Sequence, residues 1–216
     1  RTATVAPGMS FTLRPRTATA REAASATAED GAEPGPRLSV LSYNSDGLSE
    51  AHLGPRAHYL CDQVLAAPPD VVFLQEVVAA TASIYRERLP PLYVEASSPP
   101  SPRAPYFTLT FVRAAAVAPA GCRRAAYPSS VMHRDLSLVA ATHVDTSVPL
   151  LLATTHLESG AAYSEARTEQ LRQGLGELRA WAETQAPGRG VAVLAGDLNL
   201  RQKEAAAVKG ELRVGG

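Results

Sequence analysis

Val71-Val72-Phe73-Leu74 is a short, wholly apolar run that follows Pro68-Pro69-Asp70 and breaks directly into Gln75-Glu76. A strand without polar alternation offers no face to water, so it needs cover on both sides. Val191-Ala192-Val193-Leu194-Ala195 repeats the pattern and runs into Gly196-Asp197-Leu198-Asn199. The cover is also written in the chain. Arg56 to Ala66 puts Leu60, Cys61, Val64 and Leu65 on one helical face before Pro68-Pro69 stops it. A longer helix is predicted from about Ala162 to Thr184, with Leu171, Leu175, Leu178 and Trp181 at helical spacing and Pro187-Gly188 at its end. A further helix fits Thr81 to Leu89. Leu38 to Tyr43, Tyr106 to Arg113, Leu136 to His143 and Leu150 to Thr155 read as strands, and Ser97 to Pro105 as an exposed loop. This mixture predicts an α/β fold of two sheets packed face to face, each covered by helices.

Composition narrows the class without choosing a partner. The chain has 216 residues, 45% of them hydrophobic and 19% charged, which suits one globular domain with a real core. Lys plus Arg and Asp plus Glu each number 21, so a polyanion would have to meet a local patch. The two cysteines, Cys61 and Cys122, have neither metal nor disulfide spacing. Cys61 reads as a small buried residue, in keeping with a reducing compartment. No apolar run approaches the roughly 18 residues of a membrane helix, and no secretion signal opens the chain.

Chemistry collects at strand ends. The first strand ends in Asn44-Ser45-Asp46-Gly47-Leu48, the next buried one in Gln75-Glu76, a third in His156-Leu157-Glu158-Ser159, and the last in Asp197-Leu198-Asn199. If these strands are neighbours, their tips converge on one cleft. Taken singly, each has a structural reading. Asn-Ser-Asp-Gly and Gly-Asp-Leu-Asn are good turn chemistry, and a histidine at a strand end is commonly a hydrogen-bond partner. Glu76 resists that reading, because a carboxylate straight after an apolar run is costly without a partner or a metal. A hard cation such as magnesium accepts one carboxylate and keeps its waters. Asp197 suits a base for an attacking water, and Asn44, Asn199 and His156 suit donors to phosphate oxygens.

The ordered set Asn44-x-Asp46-Gly47-Leu48, Leu74-Gln75-Glu76, Thr155-His156-Leu157-Glu158-Ser159 and Gly196-Asp197-x-Asn199 resembles the signature of the endonuclease/exonuclease/phosphatase superfamily, from Leu38 to Arg201. That resemblance implies a four-layered α/β sandwich with a magnesium-centred phosphodiesterase site at one end of its sheets, manganese being a substitute ion. Within the superfamily the chain is most similar to the 5′-tyrosyl-DNA phosphodiesterases. The features that carry this are Val77-Val78 after the glutamate, Arg167 and Gln170-Leu171 after the intact histidine motif, Tyr127 to Arg134, Tyr106-Phe107-Thr108 and Asn199-Leu200-Arg201. Tyr43 departs from a usual Trp and Gln202 from a usual Asp. By resemblance, Glu76 binds the metal with Asp46 in or near its shell, and Asp197 is the acid/base that positions the water. Asn44, His156, Ser159 and Asn199 hold the phosphate, Arg134 and Arg201 add charge, and Tyr106, Gly47 and Leu48 meet the DNA. The implied partner is a DNA 5′ end carrying a tyrosyl-linked topoisomerase, with no membrane partner. The implied location is the nucleus, with the cytoplasm as a second site. Oligomeric state leaves no mark in the sequence.

The expected organisation is a disordered leader over residues 1–36, a partial catalytic domain over 37–201, and an atypical tail over 202–216. Residues 1–36 are rich in Ala, Thr, Arg, Glu, Pro and Gly and lack any apolar period. The superfamily closes with further strands and a Ser-Asp-His motif that find no match after Asn199, so the fold is expected to be incomplete at that end. Exposed sheet edges and low activity of this polypeptide are the corresponding expectations. Two alternatives stand beside the leading one: another superfamily nuclease or phosphatase (abasic endonuclease, inositol or lipid phosphatase), and an inactive form that binds DNA or a partner without turnover.

Overall fold

The computed structural model describes residues 37–209 apart from Arg103 and Pro187. The expected leader and residues 210–216 of the tail lie outside the described residues. Within the described residues, eight strands form two four-stranded sheets. In the first, β1 (Val40–Asn44) pairs in parallel with β2 (Val71–Val77). Next to β2, antiparallel, lies β4 (Phe107–Arg113), and β3 (Tyr93–Glu95) closes that edge. In the second, β5 (Val117–Ala126), β6 (Asp135–His143) and β7 (Pro149–His156) form an antiparallel meander, and β8 (Val191–Asp197) adds in parallel to β7. Helix α1 (Leu53–Ala66) crosses from β1 to β2, α2 (Ala79–Arg88) follows β2, α3 (Ser164–Glu183) crosses from β7 to β8, and α4 (Gln202–Lys209) follows β8.

Three apolar layers explain the order. Val72 and Leu74 pack with Leu60, Cys61 and Val64 of α1 and Tyr85 of α2. Val71 and Phe73, facing the other way, pack against Val139, Leu150 and Leu152 of the second sheet. The outer face of that sheet, through Leu136, Leu138, Leu151 and Ala153, meets Leu171, Leu175, Leu178 and Trp181 of α3. Consecutive residues of β2 therefore alternate between two apolar environments, which is why the run carries no polar alternation. The result is helix, sheet, sheet, helix: the four-layered sandwich.

Two strands escape the sequence reading. β3 has three residues, too few for a period. β5 is an exposed edge strand with Pro119 inside it and a bulge between Pro119 and Gly121. Edge strands tolerate both features because one side makes no ladder. The Ser97 to Pro105 segment carries no regular element in its described residues, as expected of a loop. The first residues of the expected tail form α4, whose buried Glu204 receives Arg167 Nη2 at 2.6 Å and Nε at 3.1 Å. No helix among the described residues is long and apolar enough to cross a membrane.

Candidate active site

Both sheets end in a parallel pair, β1 with β2 and β7 with β8, and the C-terminal tips of all four strands meet. The Asn44 amide nitrogen joins them, donating to Glu76 Oε1 at 3.1 Å and to Asp197 Oδ2 at 2.8 Å. His156 Nε2 lies 3.7 Å from the same glutamate oxygen and 3.6 Å from the same aspartate oxygen. Asn199 donates its backbone N–H to Asp197 Oδ1 at 3.1 Å and its amide to the Leu157 carbonyl at 3.0 Å, tying β8 to the end of β7.

The backbone is bent to deliver these groups. Register shifts between Leu74 and Val77, and Glu76 sits in that bulge at φ +53°. Asp46 and Asn199 also take left-handed backbones, at φ +52° and +46°. Left-handed non-glycine residues are uncommon and gather at functional sites. Gly47 is the counterpart of the bulge: a Cβ there would stand 1.9 Å from the Glu76 carbonyl oxygen. Gly196 packs the same way on Thr155, where a Cβ would meet the carbonyl oxygen at 1.9 Å.

A cationic wall stands behind His156. Buried Arg134 donates from Nη1 to His156 Nδ1 at 2.6 Å, and its guanidinium carbon lies 4.7 Å from the Tyr106 ring centroid. Guanidinium nitrogens only donate, so Nδ1 accepts and the imidazole proton sits on Nε2, facing the carboxylates. Burial, reinforced by the Arg134 charge, pushes His156 down to about 4, so the ring is neutral at neutral pH. Burial also lowers the Arg134 pKa, opposed by Tyr106 and nearby carboxylates. Arg134 Nε is buried with no hydrogen-bond partner among the described residues. An unmet buried donor is costly, and an incoming anion would relieve it.

The other expected residues sit further out. The Asp46 carboxylate is exposed and faces Arg56 Nη2 at 3.9 Å, while its backbone N–H donates to Asn44 Oδ1 at 2.8 Å. Its link to the cleft is thus through the orientation of Asn44. Ser159 Oγ contacts Met132 sulfur at 3.4 Å. Arg201 is exposed, its backbone N–H donating to Glu204 at 2.9 Å. Leu48 is exposed beside Gly47, and Tyr106 borders the cleft together with Glu76, Thr108, His133, Asp135 and His156. Sequence reasoning missed the Arg124–Asp135 ion pair at 2.8 Å, where Arg124 also donates to the Thr108 carbonyl at 2.6 Å. Arg124 lies in the unread β5, so no pattern pointed to it.

The donor set at the cleft suits one kind of metal better than another. Among the described residues, no trio of His, Cys, Asp and Glu is arranged to enclose an ion. That disfavours a site of the zinc type, which takes three or four protein ligands. Glu76 has Oε1 tied to Asn44 and a side chain only 15% exposed at the cleft. One such carboxylate fits a hard divalent cation that keeps its waters and takes the rest of its shell from substrate phosphate.

A sequence model described as Endonuclease/Exonuclease/phosphatase family matches residues 41–206. This chain belongs to that family. Among curated relatives, tyrosyl-DNA phosphodiesterase 2 (TDP2) of Danio rerio is 35% identical over 175 residues, 81% of this chain and 44% of the relative. The Homo sapiens protein of that name is 31% identical over 173 residues, 80% of this chain and 44% of the relative. The chain therefore spans less than half the length of the curated relatives it matches. A crystal structure of D. rerio TDP2 complexed with single strand DNA product superposes with a TM-score of 0.67 at 34% identity, over 80% of this chain and 64% of that one. The family fold extends further: the human Nocturnin catalytic domain gives a TM-score of 0.67 at 16% identity, over 82% of this chain and 69% of that one.

Proposed function

We propose that this family member is a magnesium-dependent phosphodiesterase that cleaves the bond between a 5′ DNA phosphate and a tyrosine left by a trapped topoisomerase. The observation that carries the reading is the union of Asn44, Glu76, His156 and Asp197 at one point, beside a Tyr106 ring backed by Arg134.

Glu76 would hold the divalent cation. When bound, such an ion withdraws charge from phosphate oxygens and steadies the charge that builds in the transition state. The chain's own groups do the rest. Asp197 is held by Asn44 and by the Asn199 N–H so that its carboxylate orients a water and takes its proton. The water oxygen bonds to phosphorus, and the phosphorus–tyrosyl oxygen bond breaks. Asn44 and the Nε2–H of His156 donate to the non-bridging oxygens. The leaving group is a phenolate, whose conjugate acid has a pKa near 10, so it departs without a strong acid. The products are a 5′-phosphorylated end and free tyrosine or a tyrosyl peptide. Tyr106 offers a face on which the terminal base stacks.

The relatives' names and the DNA product held by the D. rerio protein support the choice of DNA. A protein with this task resides in the nucleus, which imaging of a tagged protein tests. The decisive assay offers a 5′-phosphotyrosyl oligonucleotide, an abasic duplex and inositol phosphates side by side, with magnesium. Preferred turnover of the first, lost in Asp197→Asn, is the expected result. Preference for either of the others would overturn the substrate assignment.

A further inference from the structure

Behind the cleft lies a second carboxylate that the reaction does not touch. Glu158 is fully buried, yet four donors converge on it. Val131 and Met132 donate backbone N–H groups to Oε1 at 2.7 and 3.0 Å, Gln170 donates its amide to Oε2 at 3.2 Å, and Ser130 Oγ lies 3.2 and 3.1 Å from the two oxygens. Gln170 also accepts the Glu158 backbone N–H at 3.0 Å, and Arg167 donates to the Glu158 carbonyl at 2.9 Å. The carboxylate is therefore fixed from α3 on one side and holds the loop before β6 on the other.

That loop ends in Arg134. With its proton given to Glu158, Ser130 Oγ accepts the Arg134 backbone N–H at 2.8 Å, and the Arg134 guanidinium donates to His156 Nδ1 at 2.6 Å. Three hydrogen bonds thus run from Glu158 through Ser130 and Arg134 to His156. Left-handed His133, at φ +56°, turns the chain between Ser130 and Arg134, so the loop has no regular ladder of its own to hold it. We infer that Glu158 is a positioning residue: its carboxylate, accepting from four donors, folds the 130–134 loop into the one shape that sets Arg134 on His156 and so keeps the imidazole proton on Nε2.

Charge and geometry make Glu158→Gln a sharp perturbation. All four donors need acceptors, and an amide supplies one oxygen and one NH2 group. If the oxygen faces the loop, the NH2 meets the Gln170 amide; if it faces Gln170, the NH2 meets two backbone N–H groups. The exchange Glu158→Gln with Gln170→Glu removes this conflict, because the amide at 158 then donates to a carboxylate at 170 that still accepts the backbone N–H of 158. The buried charge moves across one hydrogen bond while the loop contacts remain.

The inference deepens the proposed function and rests on it only for its effect on turnover. The test has two readouts on the 15N-labelled protein. Near neutral pH, the ring nitrogens of His156 report the tautomer, and the Arg134 side-chain signals report its protection. Wild type shows Nε2–H and a protected guanidinium, Glu158→Gln loses both, and the exchanged pair regains them. Hydrolysis of a 5′-phosphotyrosyl oligonucleotide follows the same order. Its kcat drops on the order of 100-fold in Glu158→Gln, as expected for a misplacement of about 1 Å, with KM changed less, and the exchanged pair recovers. Ser130→Ala cuts the same chain of bonds with the carboxylate in place; it reproduces the loss of tautomer and supplies the answer if Glu158→Gln does not fold. An unchanged His156 tautomer in a folded Glu158→Gln or Ser130→Ala protein overturns the inference, as does a folded exchanged pair that stays impaired. Absence of turnover in wild type would sink the substrate reading alone, and the nuclear magnetic resonance readout would still decide the role of Glu158.

Discussion

The amide of Asn44 donates to Asp197 Oδ2 at 2.8 Å, binding the last residue of β1 to the last residue of β8 across two different sheets. The same nitrogen reaches Glu76 Oε1 at 3.1 Å, so one neutral donor stands between two carboxylates. Asn44→Ala is expected to lower kcat by about 100- to 1,000-fold, the usual effect of removing one donor to developing charge. Asn44→Asp is expected to be worse, because a third carboxylate would stand where the shared donor was. Steady-state kinetics and thermal melts of the two variants check this. An Asn44→Asp protein as stable as wild type would contradict it.

Gly47→Ala tests the Glu76 bulge. The new Cβ would meet a backbone carbonyl oxygen at 1.9 Å, and backbone cannot swing aside as a flexible side chain can. Either the Asp46–Gly47 turn or the bulge must move, at a cost of about 1–3 kcal/mol. A urea melt reads the stability, and turnover should fall by more than stability alone explains. Wild-type values for both would show that the turn is softer than this geometry implies.

Acid should weaken the anchor of α4. Hydrogen bonds from Arg167, opposed by burial and helped by the Arg201 N–H, hold Glu204 at about 2, well below its ordinary 4.5. A folded pKa below the unfolded one means that the stabilisation is complete above about 4.5 and fades as pH falls toward about 2. The urea midpoint of wild type minus that of Glu204→Gln should be constant from neutral pH to about 5, then shrink. A difference that grows on acidification would refute the sign.

Magnesium should stabilise the folded chain through Glu76. Saturation at about 100 times Kd adds roughly 2.7 kcal/mol, visible as a rise in melting temperature. Glu76→Gln should abolish most of that rise, while Asp46→Asn should preserve it, because the Asp46 carboxylate points to Arg56. Equal loss in both would place Asp46 among the metal's ligands after all.

What was legible in the sequence was legible for a physical reason. Val71 to Leu74 is apolar at every position because β2 lies between a helical layer and a second sheet. The run foretold cover on both faces, and the order of strands and helices along the chain supplied the second sheet. The four strand tips could be named because each breaks an apolar run with a polar residue. Their convergence needed topology: no local rule says that β1 and β8 face each other. β5 was invisible because an exposed edge strand carries little hydrophobic period, and Arg124 went unseen with it. Asp46 shows a limit of another kind. Its position in the motif is shared with Asn44, yet its side chain turns outward and only its N–H serves the cleft. Glu158 shows the reverse, a charged residue inside a strand-end motif that looks catalytic and is instead buried behind the cleft wall.

The apolar layer between the sheets has a consequence for engineering. Asn44 rides on one sheet and Asp197 on the other, and Phe73, Val139 and Leu152 belong to the apolar cluster packed between the two sheets. Their bulk fills the space between the sheets that carry the two halves of the cleft. A substitution of Val139 or Leu152 by a neighbouring size would widen or narrow the gap without altering any polar residue. Under the proposed function, tolerance for bulkier or slimmer scissile groups should shift with core substitutions of this kind, which a screen confined to cleft-lining positions would miss.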